Sequence, residues 1–282
     1  MLPIRDNIPT SSTPYFTIGL IILNCLVFLF EKTGDMQQMT WKYGYVPAKL
    51  VDGQDEFADR LRERPPLKLV TDRFGRPQFA DPWGRRVLVE PDRAAMSAAV
   101  ALPAWLTLFT CMFLHGGWMH LLGNMLYLWI FGNNIEDRLG LLLFLVFYLG
   151  TGIVGSLTHT LFDSGVVPLV GASGAISGVM GAYILLFPRS RITGIIPIGW
   201  YPLTVNLPAW IFLGFYFLVQ NLYAEFFTAM HSAAGSDGVA RWAHIGGFVS
   251  GAALIYIFPH RKPPAAAQRV DGPRDDDADL VI

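Results

Sequence analysis

Three polar motifs, each at the head of an apolar stretch, are the parts of this chain best suited to chemistry. Ser173 lies in Gly171-Ala172-Ser173-Gly174, and His244 in Ala243-His244-Ile245-Gly246-Gly247. Glycine lets a second backbone or a substrate come close to the hydroxyl. A serine with a histidine is the minimal set for nucleophilic hydrolysis, in which the imidazole takes the hydroxyl proton. His120 and Asn124 form the third motif. Four residues apart, they share one helix face, and both can donate a hydrogen bond to a developing oxyanion. A helix starting at Ser173 would add unpaired backbone N–H groups. No Asp or Glu stands at the outer end of these three stretches. The residues therefore support a Ser–His dyad and not a full triad. Taken singly, each motif is ordinary: glycine strips pack helices, and membrane serines bond their own backbone. The case rests on the three together.

What must position them is a set of membrane helices. The 282 residues are 52% apolar and only 15% charged, against about 25% charged in soluble domains. Mean hydropathy is +0.40. Net charge is −1, which gives no case for nucleic acid. Cys25 and Cys111 lie in apolar sequence and read as free thiols, and no metal-ligand spacing exists. Neither a metal nor a cofactor is expected.

Six apolar stretches approach the ~20 residues of a spanning helix. They are Pro14 to Phe30, Phe113 to Phe131, Leu139 to Phe162, Leu169 to Phe187, Leu207 to Phe227 and Trp242 to Phe258. The first has no small-x-small cleavage site after it and reads as uncleaved. Ala98 to Leu114, interrupted by Pro103, is read as interfacial, with a seventh span as the alternative. The fold class expected is an all-α polytopic membrane protein with a six-helix bundle over 14–260, after a short N-terminus, 1–13. A charged extracytoplasmic insertion occupies about 31–104, with a small hairpin over Lys68 to Val89. The Asp-rich tail, 261–282, reads as disordered.

Stretches two, four and six run in the same direction, so His120, Ser173 and His244 share a depth in the outer part of the membrane. Gly174, Gly178 and Gly181 smooth the face below Ser173, and Gly247 and Gly251 smooth that of His244. Small residues let membrane helices approach closely. Arg5, Arg138, Arg189, Arg191, Arg261 and Lys262 fall on one side, which puts both termini in the cytoplasm. The expected setting is a bacterial plasma membrane.

At these residues the chain resembles the rhomboid family of intramembrane serine proteases, over about Pro14 to Pro259 apart from the insertion. The motifs are His115-Gly116-Gly117-Trp118-Met119-His120-Leu121-Leu122-Gly123-Asn124-Met125, then the Ser173 and His244 motifs, with Glu136-Asp137-Arg138-Leu139-Gly140 after the second stretch. The resemblance implies a water-filled site open to the outside. It makes Ser173 the nucleophile, His244 the base and then the acid, and His120, Asn124 and the Ser173 N–H the oxyanion hole. The implied substrates are membrane proteins, single-pass or multi-pass, cut near the outer face. The fifth stretch would be a lateral gate and Ala229 to Ala240 a cap, with Gly235 and Gly238 giving it freedom to move. Two departures stand out. Trp105-Leu106-Thr107 lacks the Trp-Arg of many members, and Ser177 stands where many carry an aromatic that stacks on the histidine.

Expected to line the cavity are His115, Gly171, Gly174 and Ser177, although His115 fits an interfacial loop equally well. His159, Asn24 and Glu225 read as structural or interfacial. A rhomboid-like protein that only binds membrane helices would lack Ser173 or His244, and this chain has both. A transporter would need polar groups deeper in the membrane and an inverted repeat, and shows neither.

Overall fold

The computed structural model describes residues 2–62, 68–71, 77–80, 86–87, 98–198, 201–223 and 240–261. The chain opens with strand β1 (Leu2–Asp6) and helix α1 (Tyr15–Thr33). Three short helices follow, α2 (Met36–Tyr43), α3 (Pro47–Val51) and α4 (Gln54–Arg62), then strands β2 (Lys68–Thr71), β3 (Pro77–Ala80) and β4 (Arg86–Val87). Helix α5 (Ala104–Thr110) ends in a 3-10 turn, Cys111–Phe113. Helix α6 (Trp118–Tyr127) continues through a π turn, Leu128–Gly132, into α7 (Asn133–Leu139). Helices α8 (Leu141–Phe162) and α9 (Ser173–Leu186) come next, then strands β5 (Arg191–Ile198) and β6 (Tyr201–Pro208). Helix α10 (Ala209–Phe215) runs into a second π turn, Tyr216–Tyr223, and α11 (Arg241–Leu254) completes the described elements.

The bundle is built around α8, α9 and α11. Its interior holds fully buried Phe131, Phe144, Phe147, Tyr148 and Tyr183. Its outer surface is apolar too: Leu26, Phe30, Leu142, Val146, Leu161, Leu218 and Val249 are exposed. An apolar exterior of this extent suits lipid, not water. Helices α1 and α8 are long and apolar enough to cross a membrane.

The all-α expectation needs correction. β1, β5 and β6 form a three-stranded antiparallel sheet in the order β1-β5-β6. β5 and β6 pair over their whole length, from Arg191↔Pro208 to Ile198↔Tyr201, and β1 pairs with β5 from Leu2↔Ile195 to Asp6↔Ile192. The segments Arg191-Ile192-Thr193-Gly194-Ile195-Ile196 and Leu203-Thr204-Val205 are rich in β-branched residues, which favour a pleated surface. The short N-terminus thus contributes a strand, Leu2–Asp6. In the insertion, Lys68↔Ala80 to Thr71↔Pro77 form an antiparallel hairpin, and β4 adds a third strand.

The acidic residues after α6 hold the start of α1. Pro14 offers no side-chain cap. Glu136 accepts instead from the N–H groups of Phe16 and Thr17, at 2.9 and 2.7 Å, and so serves two of the free donors of that helix end. Asp137 accepts from the hydroxyls of Ser11 and Ser12, each at 2.7 Å.

The insertion begins with its own small core, Trp41, Val46, Ala48 and Phe57, closed by Ala99. Tyr45 bonds the Leu169 backbone, and its hydroxyl meets Thr160 Oγ1 at 2.7 Å, so this unit is clamped to the bundle just before α9. The Lys49 ammonium binds the Ala99 and Leu102 carbonyls. The helical stretch Ala104–Phe113 is only ~15–17 Å long, about half a hydrocarbon core. The tail beyond 261, Glu225 and the expected Ala229 to Ala240 cap, all but its last residue, lie outside the described residues.

Candidate active site

The site begins where α9 begins. Gly171 has φ +122°, open to glycine and hard for any other residue. The turn lets the chain enter α9 with Ala172 as N-cap and Ser173 as the first helical residue. The first N–H groups of that helix have no partner within it. A side chain on Gly171 would press on the His120 ring, 2.7 Å from Cε1 and 2.8 Å from Nε2.

The glycine strips bring α9 and α11 into backbone contact. A Cβ on Gly247 would fall on the Gly174 carbonyl, one on Gly251 on the Gly178 carbonyl, and one on Gly181 on the Phe248 carbonyl. Helix α8 joins them, since a Cβ on Gly155 would lie 2.6 Å from the Ala243 carbonyl. The α9–α11 approach is what the glycine spacing implies. The part played by α8 is not evident from it.

With the backbones so close, Ser173 Oγ lies 2.7 Å from His244 Nε2. The other ring nitrogen, Nδ1, is 3.0 Å from Asn221 Oδ1. Asn221 is 2% exposed, and its Nδ2 donates to the Tyr216 carbonyl at 2.9 Å. That bond decides which end of the amide is oxygen. Oδ1 can only accept, so Nδ1 carries the ring proton and Nε2 is free to accept from the Ser173 hydroxyl. Sequence reasoning passed over Asn221, although an amide inside the apolar run from Ile211 to Leu222 was a usable signal.

His120 and Asn124 stand together beside Gly171. The Asn124 Nδ2 is buried with no hydrogen-bond partner among the described residues, and lies 3.6 Å from a Cβ built on Gly171. An uncommitted buried donor costs stability, and here it faces a cavity of about 520 Å³ shared with Ser173, His244 and His120. Tyr127, Ile176, Met180 and Tyr216 supply its apolar wall.

The four positions expected to line this cavity are not part of its wall. His115 is 1% exposed, behind His120, the two rings edge-on at 5.2 Å, and its N–H donates to Glu31 Oε2 at 3.2 Å. Gly171 underlies the His120 ring, and Gly174 faces Ala243 of α11. Ser177 is fully buried and bonds the Tyr216 hydroxyl at 2.9 Å. No aromatic from α9 lies on His244, and the ring is held from the Tyr216–Tyr223 turn instead. His159, read as structural or interfacial, borders the cavity, 3.8 Å from Asp163. Asn24 is fully buried and donates to the Leu20 carbonyl at 2.7 Å.

Comparison with known proteins gives a consistent picture. The Rhomboid domain family matches residues 103–261, which include the whole site but not α1. RHOMBOID-like protein 1 of Arabidopsis thaliana is 34% identical over 152 residues, 54% of this chain and 34% of that protein. Rhomboid protease GluP of Bacillus subtilis is 36% identical over 129 residues, 46% of this chain and 24% of that protein. Rhomboid protein 1, mitochondrial, of Saccharomyces cerevisiae is 39% identical over 85 residues, 28% of this chain and 25% of that protein. The matches span only a quarter to a third of the length of these relatives.

Proposed function

This chain belongs to the rhomboid family, and on that premise we propose that it is an intramembrane serine endopeptidase. The observation that carries the proposal is the 2.7 Å contact between Ser173 Oγ and His244 Nε2, inside a cavity that also holds the uncommitted Asn124 amide. Ser173 Oγ attacks the peptide carbonyl while its proton passes to Nε2. The carbonyl π electrons move onto oxygen, which His120, Asn124 and the Ser173 N–H stabilise. Nε2–H then protonates the leaving amine as the C–N bond breaks, and water releases the acyl group by the same steps.

The proposal includes six spans: α1, α6 with α7, α8, α9, α10 with its π turn, and α11. Both termini are cytoplasmic and the site is in the outer half of the bilayer. A common inner side for the basic residues has support in the Arg261 N–H, which donates to the Arg138 carbonyl at 2.7 Å. Substrates are membrane proteins whose helix unwinds near its outer end. They enter past α10, beneath a cap at Ala229 to Ala240. An aqueous site enclosed by lipid-facing helices suits a substrate of this kind.

The test is cleavage of a single-span reporter by purified protein in liposomes. Ser173→Ala and His244→Ala are each expected to lower cleavage at least ~10³-fold, to background. Cleavage surviving in a folded Ser173→Ala protein would sink the mechanism.

A further inference from the structure

We propose that Asn221 is a third, positioning member of the catalytic set, which fixes the tautomer and plane of His244 from the neighbouring helix. The proposal rests on the reading of Ser173 and His244 as nucleophile and base. A ring held only by Ser173 could turn about its side-chain torsions and could carry its proton on either nitrogen. Asn221 Oδ1, 3.0 Å from Nδ1, removes both freedoms. It does so at the nitrogen farthest from the reaction, as the orienting group of a hydrolytic triad does.

The backbone is shaped for this contact. Tyr216 and Asn221 are five residues apart, which on an α-helix would put them about 140° around the axis from one another. The wide i→i+5 turn over Tyr216–Tyr223 brings them to one side. Both face the site: the Tyr216 hydroxyl bonds Ser177, and Asn221 bonds His244 and the Tyr216 carbonyl. The Ser177 bond ties this turn to α9 one helical turn below Ser173. π turns are rare and gather at functional sites. An amide also brings no buried charge, which would be costly in a membrane interior.

The orienting group is therefore neutral, and this gives the test. Among the described residues, the charged or titrating groups that act on the His244 ring are His120, Arg241 and His159, and Asp163, a carboxylate bordering the same cavity, is not one of them. Asn221→Asp adds a carboxylate beside Nδ1 and so favours the protonated, inactive ring. The acid limb of the kcat profile is expected to move up by about one pH unit or more. Asn221→Leu, similar in size but without an acceptor, is expected to lower kcat ~10- to 100-fold with KM nearly unchanged. ¹⁵N-histidine NMR, with His244 assigned through His244→Gln, reads the tautomer without any turnover. The wild type should carry the proton on Nδ1, and Asn221→Leu a mixture.

An Nε2-protonated His244 in the wild type overturns the proposal, as does an unmoved acid limb in Asn221→Asp, whether or not the Leu variant folds. Wild type and Ser173→Ala run in parallel separate the two readings. Loss of Ser173-dependent cleavage would remove the protease reading itself. Ser173-dependent cleavage with an unmoved limb would remove only the role of Asn221.

Discussion

Asn124 shows how much chemistry one unpaired group can hold. Its Nδ2 is buried beside Gly171 without a partner among the described residues, and the same atom would be satisfied once an oxyanion formed next to Ser173. A donor committed only in the transition state lowers the barrier rather than tightening substrate binding. Asn124→Ala is therefore expected to lower kcat about 10²- to 10³-fold with KM little changed, as read in the reporter assay. A KM effect alone would make Asn124 a substrate-binding group. The pairing of His120 with Asn124 was legible, because a four-residue spacing on a helix has one geometric meaning. The placing of His115 was not, because its loop is folded behind His120 by contacts with Glu31 from a distant helix.

At the scale of elements, the site depends on α9 and α11 touching backbone to backbone. Gly251 lies against Gly178 two turns below His244, where a methyl would meet the carbonyl of the opposing helix. Backbone cannot yield as a side chain can, so Gly251→Ala must push the helices apart. Overpacking of this kind costs about 1–3 kcal/mol, and an error of ~1 Å at the reacting atoms can lower the rate ~10²-fold. Gly150→Ala in α8 is the control, since nothing lies within 4 Å of the added methyl. Thermal unfolding and reporter cleavage should both fall for the first variant and stay near wild type for the second. The glycine strips were readable because helix period converts spacing directly into a face. The π turn was not, since it breaks the period on which such readings rest and brings Asn221 out of phase with its neighbours.

At the scale of the molecule, the N-terminal strand ties the sheet to the end of the bundle where α7 and the last turn of α9 lie. Asp6 Oδ2 accepts from the Tyr183 hydroxyl at 2.6 Å and from Asn134 Nδ2 at 2.7 Å. Burial raises the Asp6 carboxyl from 3.8 to about 6, against the lowering effect of these hydrogen bonds. The folded protein thus holds this proton more tightly than the unfolded chain. Its stabilisation is full below about pH 4 and lost as pH rises through about 6, a change of roughly 3 kcal/mol. Asn in its place keeps an acceptor oxygen for both donors and removes the buried charge. Asp6→Asn is expected to be more stable than wild type at pH 7.5 and to flatten the fall between pH 4 and 7 in denaturant unfolding. An unchanged slope would assign the pH dependence to another group.

Residue types and spacing were enough to select the candidate groups of a hydrolytic site and much of the scaffold. Ser173, His244, His120 and Asn124 were found from residue type and spacing, the long helices from apolar runs, and the α9–α11 approach from glycines one helical turn apart. These are local properties, fixed by bonds and periods within one segment. The tertiary structure alone decided the pairing of β1 with β5, the contribution of α8 to the close-packed core, the cavity wall and the contact of Asn221 with His244. Each joins segments far apart in the chain, and no short-range pattern specifies such a meeting. Which side chain reaches which atom there is set by how whole helices pack, and a π turn of one helix was enough to bring Asn221 to His244.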